Sequence, residues 1–150
     1  MNMETVGRPM EILLVEDNLM DARLTIDALK HGDVKHRLTL MRDGEEAMQF
    51  LYREQHFARA PRPDLILLDL QLPKRDGREV LTIIKDDEEL SRIPVVILTA
   101  SKDHEDMVRS EQLEVDSYMT KPVDIDKFLM VVRELKSCWM ADVILPVEIA

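Results

Sequence analysis

Short apolar runs alternate along this chain with stretches of helical periodicity, and this alternation limits the possible folds more than any other feature. Apolar residues fill five segments of strand length, at about 11–15, 36–41, 64–69, 94–99 and 116–120. Five stretches with apolar residues at helical spacing follow them, near 18–31, 43–56, 76–87, 103–113 and 124–139. Because strands that alternate with helices form βα units, the sequence predicts a doubly wound α/β fold with a parallel sheet.

Polar residues stand at the end of four of these apolar runs. Glu16 and Asp17 follow the first run, Asp69 ends the third, Thr99 ends the fourth and Lys121 follows the fifth. The carboxyl ends of parallel strands open on one edge of a sheet, so we expect these side chains to meet in one cleft. Three carboxylates, a hydroxyl and an ammonium group in one place predict a site for a divalent cation and a phosphoryl group.

The residue types at this edge match the chemistry of Mg²⁺ and phosphate. Neighbouring carboxylates oppose each other's ionisation unless a cation neutralises them. Asp17, Asp69 and a nearby backbone carbonyl are oxygen ligands of the kind that Mg²⁺ takes, and Glu16 would act through a water molecule. With a phosphoryl group on Asp69, Lys121 would neutralise one oxygen and Thr99 would donate to another. Pro122 helps to fix the direction of Lys121, and a cis Lys121–Pro122 bond is compatible with this role.

Other acidic residues are explained by the starts of helices. A side-chain acceptor at the N-cap with an acidic residue three positions later resembles a capping box. The sequence predicts such caps at Asp43 with Glu46 and at Asp76 with Glu79, and further caps at Asp124 and Asp103. Either Asp17 or Asn18 can cap the first helix.

Length and charge limit the domain organisation and the partners. With 150 residues and a mass of 17.4 kDa, we expect one compact domain over 11–139, between an N-terminal tail at 1–10 and an apolar tail at 140–150. The formal charge of −10 disfavours nucleic acid as a partner. No segment has the length of a membrane span, and Cys138 has no second cysteine with which to form an internal disulfide. A cytoplasmic protein is therefore expected.

Two helices and the tail suggest how the surface is used. The first helix has an apolar stripe for packing on the sheet, formed by Leu19, Ala22, Ile26 and Leu29, and the fourth helix is predicted to be mostly exposed. The fifth helix has a wide apolar surface that includes Val131 and Trp139, and the tail adds Val143, Ile144 and Leu145. Exposed apolar surface of this size favours a homodimer built on Trp139 and the tail. The alternative is that the tail folds back on its own domain.

The strand-end residues, with their neighbours in sequence, resemble the receiver domains of bacterial two-component response regulators. The matching features extend from residue 11 to about 136, and they are the pair Glu16–Asp17, Asp69 in LILLDLQLPKRDG, Thr99 in VVILTAS, Tyr118, and Lys121–Pro122. This resemblance implies a flavodoxin-like (βα)5 fold with strand order 2-1-3-4-5. It also implies Mg²⁺-dependent phosphotransfer from a histidine kinase to Asp69, with Thr99 and Tyr118 as switch residues.

Further segments resemble the single-domain regulators that partner bacterial phytochromes, among them DGEEA at 43–47, RPDLILLDL at 62–70 and KRDGREVL at 74–81. Gln71 departs from that subfamily, which more often has Asn there. The family implies that the backbone carbonyl of Gln71 binds the metal, and the departure leaves the lifetime of the phosphoryl group open. We expect the signal to leave by protein contact or by transfer to a histidine phosphotransfer protein.

Three other functions can be compared with this one on the residues that each would need. A haloacid-dehalogenase-like phosphatase would need a second aspartate where Gln71 stands, and a nucleotide- or flavin-binding domain would need a glycine-rich loop that the four scattered glycines do not form. A phosphorylation-independent adaptor on the same fold is the alternative that the residues alone leave open. No enzyme activity beyond self-phosphorylation and autodephosphorylation is expected.

Overall fold

The computed structural model describes residues 7–136 and 143–144, and the side chain of Lys136 is outside this description. Five strands and five helices alternate in this part of the chain. They are β1 Met10–Val15, α1 Leu19–His31, β2 His36–Met41, α2 Gly44–Leu51, β3 Leu65–Asp69, α3 Gly77–Asp86, β4 Val95–Thr99, α4 Lys102–Arg109, β5 Ser117–Thr120 and α5 Ile125–Lys136. Single turns of 3₁₀ helix at Gln55–Phe57 and Leu90–Arg92 precede β3 and β4.

All five strands form one parallel sheet in the order β2-β1-β3-β4-β5, which confirms the predicted fold. The chain reverses its direction of travel across the sheet between β1 and β3, the place where ligands bind in doubly wound folds. In register, Val15 lies beside Leu68, and Thr99 lies beside Thr120. The ends of the strands are therefore level with one another, so the residues that follow them share one edge.

A core lies on each face of the sheet, because every residue of the central strands β3 and β4 is buried. One face packs against α2, α3 and the inner side of α4, and it includes Tyr118. The other face packs against α1 and α5. Strands covered on both sides read as continuous apolar runs, which is the pattern that made the central strands visible in the sequence.

Side-chain caps begin the helices, and most of them are those that the sequence predicts. Asp43 accepts from the amide of Glu46 at 2.7 Å, Asp76 from Arg78 at 3.2 Å, and Asp124 from Asp126 at 3.0 Å. Asn18 caps α1 by accepting from Asp21 at 3.0 Å. The prediction of Asp103 as a cap is wrong. A cap at Asp103 would make His104 the first residue of α4, but the helix begins at Lys102, and Ser101 is its cap, accepting from the amide of His104 at 3.1 Å.

The outer faces of two helices differ from the sequence interpretation. Leu19, expected in the buried stripe of α1, is 54% exposed, and the buried position on that face is taken by Thr25. Thr25 satisfies its hydroxyl within the helix, by donating to the carbonyl of Asp21 at 3.1 Å, which makes its burial possible. On α5, Val131 is buried in the core of its own domain, so it adds nothing to the exposed apolar surface.

The N-terminal segment and Val143 meet at the amino edge of the sheet. Arg8 forms an isolated parallel bridge with Val143, and the amide of Ile144 donates to the carbonyl of Arg8 at 2.9 Å. The Arg8 guanidinium makes two bonds to the Asp64 carboxylate, at 2.6 and 2.7 Å. The Val143 side chain is buried in the core between α1 and α5, which corrects its assignment to a dimer interface. Trp139 and Leu145 lie outside the described residues.

Candidate functional site

Lys121 brings three carboxylates together at the carboxyl edge of the sheet. Its Nζ atom lies 2.8 Å from Asp69 Oδ2, 2.9 Å from Glu16 Oε1 and 3.0 Å from Asp21 Oδ2. Glu16 follows β1, Asp69 ends β3, and Lys121 follows β5 at the head of a cis bond to Pro122. The structure thus gathers residues that are 105 positions apart in the chain.

Asp69 is held in one orientation by contacts to both of its carboxylate oxygens. The amide of Gln71 donates to Oδ1 at 2.8 Å, while Lys121 occupies Oδ2. Gly77, the first residue of α3, lies so close that a Cβ atom built on it would be 2.6 Å from the carbonyl oxygen of Asp69. The backbone at the start of α3 therefore packs directly against the backbone of the loop that follows Asp69.

Burial sets the electrostatic properties of Glu16. Desolvation raises the pKa of this carboxyl, the nearby Asp69 raises it further, and Lys121 and the amide of Asn18 lower it, with a net pKa of about 7. Lys121 shows the opposite balance: burial alone would lower its pKa, but the bonds to Asp69, Glu16 and Asp21 outweigh burial and raise it. Lys121 is therefore charged at neutral pH, and the site contains more carboxylate than this one ammonium can neutralise.

Thr99 lies at this edge, but its hydroxyl is directed to backbone carbonyls. The buried Oγ1 atom is 3.3 Å from the carbonyl oxygen of Met119 and 3.5 Å from that of Ser101. Tyr118 is buried beside Met119, and the Arg109 guanidinium lies 4.6 Å from the centre of its ring. A ligand on Asp69 that attracted the Thr99 hydroxyl would have to draw it away from these carbonyls.

The predicted metal ligands are only partly assembled. Asp17 is exposed, and its carbonyl accepts from Arg42 at 3.4 Å, while Gln71 is exposed on the loop after β3. Across residues 7–136 and 143–144, no three carboxylate, imidazole or thiol groups are arranged around a point as metal ligands. The Lys121 ammonium instead lies where Glu16, Asp21 and Asp69 converge. The donor chemistry still fits a hard cation, since carboxylates outnumber the single ammonium and Glu16 resists ionisation in the absence of more positive charge.

Sequence reasoning missed two acidic residues near the site. Asp21 contacts Lys121 from the first turn of α1, and the signal that the sequence offers is its closeness to the Glu16–Asp17 pair at the end of β1. Glu105 lies in the helix that the sequence predicts to be mostly exposed, yet it is buried against Thr120 of β5. Nothing in the local sequence distinguishes Glu105 from its charged neighbours, because its burial depends on the tertiary contact with β5.

A five-stranded parallel α/β fold with an aspartate, a threonine and a lysine at the ends of its strands is the architecture of a receiver domain. The family model for the response regulator receiver domain matches residues 12–133. The chain therefore belongs to the response regulator receiver family.

Relatives in sequence and in structure agree with this family. Response regulator Rcp1 of Synechocystis is 46% identical over 138 residues, which cover 92% of this chain and 94% of that protein. The structure of the phosphorylated cyanobacterial phytochrome response regulator RcpA aligns with a TM-score of 0.69 at 45% identity, over 93% of this chain and 99% of that one. The bacteriophytochrome response regulator AtBRR aligns with a TM-score of 0.80 at 38% identity, over 94% and 99% of the two chains.

Proposed function

We propose that this chain is a response regulator that accepts a phosphoryl group on Asp69 from a sensor histidine kinase. The observation that carries the proposal is the anchoring of Asp69: its carboxylate is held by the Gln71 amide on one oxygen and by Lys121 on the other. A carboxylate that is fixed at a strand end, opposite the turn to the next helix, is in position to act as a nucleophile. The similarity to a phosphorylated phytochrome response regulator supports the same role.

In the proposed reaction, an oxygen of Asp69 bonds to the phosphorus of a phosphohistidine while the phosphorus–nitrogen bond breaks, and the kinase histidine leaves with the bonding electron pair. Lys121 stays close enough to neutralise a phosphoryl oxygen, since it already contacts Asp69 at 2.8 Å. The Thr99 hydroxyl would leave its carbonyl partners and donate to a second phosphoryl oxygen. The acyl phosphate is then lost by hydrolysis, in which a water oxygen bonds to phosphorus and the Asp69 carboxylate leaves, or by transfer of the phosphoryl group to a histidine phosphotransfer protein.

We propose Mg²⁺ as the cation of this site, held by Asp17, Asp69 and the Gln71 carbonyl, with Glu16 acting through water. When bound, Mg²⁺ supplies charge to the phosphoryl oxygens during transfer. The need for it is electrostatic, because Glu16, Asp21 and Asp69 share a single ammonium. Binding would require Asp17 and Lys121 to adjust their side chains, which are long or exposed enough to do so.

The first prediction tests the acceptor directly with a small phosphodonor. Incubation with radiolabelled acetyl phosphate and Mg²⁺ is expected to label the wild-type protein, and EDTA is expected to abolish labelling. Asp69→Asn should remain unlabelled because the amide is not a nucleophile for phosphorus. Asp76→Asn is the matched control, since Asn caps a helix as well as Asp does, and it should be labelled like the wild type. Labelling of Asp69→Asn would contradict the proposal, and an unlabelled wild type would favour the adaptor function.

The proposed donor is a kinase of the phytochrome type, which the similarity to RcpA and AtBRR supports. The proposed recipient of the signal is a protein partner or a histidine phosphotransfer protein. Transfer from the phosphorylated catalytic region of a bacteriophytochrome kinase should be at least tenfold faster than transfer from an unrelated histidine kinase. Equal rates from both kinases would remove the phytochrome pathway from the proposal and leave Asp69 as the acceptor.

Homodimer formation and location complete the proposal. Val131 and Val143 are covered by their own domain, so we base the dimer on Trp139, Ile144 and Leu145 together with exposed Met130 of α5. Trp139→Ala is expected to shift sedimentation toward the monomer.

No helix in the described part of the chain has the length and apolar character needed to cross a membrane. We propose the cytoplasm as the location, in keeping with the single cysteine and the acidic composition.

A further inference from the structure

Glu105 is a buried carboxylate on a helix that is otherwise rich in exposed charge. Its side chain is only 2% exposed, although the neighbouring residues of α4 are mostly solvated. A buried charge is costly unless partners satisfy it. The reaction described above makes no use of Glu105, so its burial requires a separate explanation.

The two oxygens of Glu105 contact different elements. Oε1 accepts from the Thr120 hydroxyl of β5 at 3.1 Å, while Oε2 accepts from Lys102 Nζ and Arg109 Nε of α4, each at 3.1 Å. Burial alone would raise the pKa of Glu105, but these hydrogen bonds outweigh it and lower the pKa. Glu105 is therefore an ionised bridge between α4 and β5.

Arg109 extends this bridge to Tyr118. Its guanidinium donates to Glu105 through Nε and lies 4.6 Å from the centre of the Tyr118 ring. At this distance a guanidinium is attracted to the face of an aromatic ring. Tyr118 is 7% exposed, so Arg109 and the core together enclose the ring.

The strand under this bridge also reaches the phosphoryl site. Tyr118, Met119 and Thr120 are consecutive in β5: the first lies under Arg109, the second accepts the Thr99 hydroxyl, and the third bonds to Glu105. We propose that Glu105 is a positioning residue that holds Arg109 over Tyr118 and thereby keeps α4 and the Tyr118 ring in their unphosphorylated arrangement. The link to phosphorylation rests on the proposed function, whereas the arrangement itself exists without it.

Loss of the bridge should release Tyr118 before any phosphoryl group is bound. Binding of a phosphoryl mimic would then require less free energy for rearrangement, so the affinity of the protein for the mimic should increase. We expect Glu105→Gln and Arg109→Gln each to bind beryllofluoride about fivefold more tightly than the wild type, at the low end of typical coupling between sites. Lys102→Gln is the matched control, because Lys102 contacts the same Glu105 oxygen without touching Tyr118.

The arrangement can be observed by ¹⁹F NMR of protein labelled with 3-fluorotyrosine. The chain has two tyrosines, of which Tyr52 is 45% exposed and serves as an internal reference. In the unphosphorylated protein, Glu105→Gln and Arg109→Gln should shift or broaden the Tyr118 signal and leave the Tyr52 signal unchanged. Lys102→Gln should leave both signals as in the wild type.

A double-mutant comparison separates positioning from a general loss of stability. Because Glu105 acts through Arg109, the double variant Glu105→Gln/Arg109→Gln should show no larger Tyr118 change or affinity gain than Arg109→Gln alone. Additive effects on affinity, or an unchanged Tyr118 signal in both single variants, would overturn the proposal. A Tyr118 change equal in Lys102→Gln would overturn it as well. Failure of the proposed function is distinct, since it appears as a wild type that neither binds beryllofluoride nor is labelled, while the Tyr118 signal still responds to Arg109→Gln.

Discussion

The Lys121 ammonium lies within 3.0 Å of three carboxylates, and this imbalance defines the site at the scale of single residues. Glu16, Asp21 and Asp69 carry up to three negative charges against the single positive charge of Lys121. Glu16 bears most of the cost because it is buried, which brings its pKa to about 7. Three ionised carboxylates repel one another more than a single ammonium can offset. The protein is therefore less stable when all three are ionised and no metal is bound.

The stability of the metal-free protein should therefore depend on pH through Glu16. The pKa of Glu16 is higher in the folded protein than its ordinary value of 4.5, so the folded state retains a proton that the unfolded state has lost. The stabilisation is present below pH 4.5 and is lost as pH rises to about 7. Between pH 5 and pH 8, the unfolding free energy of the wild type should fall by about 2–3 kcal/mol relative to Glu16→Gln.

Urea unfolding in EDTA at these two pH values measures the difference. Exposed Glu88→Gln is the control and should follow the wild type at both values. A gap between wild type and Glu16→Gln that stays constant with pH would show that Glu16 is not the group responsible.

The sequence placed Glu16, Asp69, Thr99 and Lys121 at one edge because strand ends in a parallel sheet must coincide, and the structure brings them there. It did not place the Thr99 hydroxyl, since the choice between a ligand and the Met119 carbonyl depends on distances of a few tenths of an ångström. The sequence did not predict the orientation of the Asp17 side chain either. That side chain is exposed, so no packing contact fixes its direction.

At the scale of elements, the start of α3 supports the loop that carries Asp69, the proposed acceptor. The Gly77 amide donates to the carbonyl of Leu70 at 2.9 Å, and a Cβ atom at Gly77 would lie 2.5 Å from the Leu70 Cα atom. Both contacts are with backbone, which cannot turn aside as a flexible side chain can. The absence of a side chain at Gly77 therefore allows α3 to approach the loop that carries Asp69.

Gly77→Ala should displace this loop and reduce both stability and phosphorylation. We expect a loss of about 1–3 kcal/mol in unfolding free energy, as for other overpacked sites, and slower labelling by acetyl phosphate. Thr82→Ala is the control on the exposed side of the same helix, and it should change stability by less than about 0.5 kcal/mol. Wild-type labelling by a stable, folded Gly77→Ala protein would show that α3 does not position Asp69.

Helices were predicted less accurately than strands, and the reasons are local. A buried strand is apolar throughout, so its extent is clear from the sequence. A surface helix is apolar on one side only, and a few residues determine where that side begins and ends. Ser101 begins α4 because its hydroxyl reaches the His104 amide, and the acidic Asp103 two residues later was an equally plausible cap from sequence. Thr25 replaces Leu19 on the buried side of α1 because its hydroxyl is satisfied by the helix backbone, an option that an apolar stripe does not reveal.

At the scale of the whole molecule, the two edges of the sheet have different tasks. The carboxyl edge holds the charged site, where side chains must be able to rearrange. The amino edge is closed by Arg8, whose guanidinium bonds to Asp64 while its backbone bonds to Ile144. Asp64 also accepts the amide of Glu11 at 2.8 Å, so one carboxylate ties the N-terminal segment to the start of β3. Segments far apart in sequence are thereby joined on the side of the sheet away from Asp69.

Val143 belongs to the part of the tail that packs on its own domain. Val143 is 3% exposed in the core between α1 and α5, so Val143→Ala should remove buried methyl groups and lower the unfolding free energy by about 1–2 kcal/mol. Ile144→Ala is the control: its side chain is only half-buried and its amide would still donate to Arg8, so the expected loss is smaller. Urea midpoints measured at several protein concentrations separate this effect from dimer formation, because a contribution within one domain is independent of concentration whereas a dimer contact is not. A Val143→Ala loss that grew with dilution, or one no larger than that of Ile144→Ala, would show that Val143 does not stabilise its own domain as the core packing indicates.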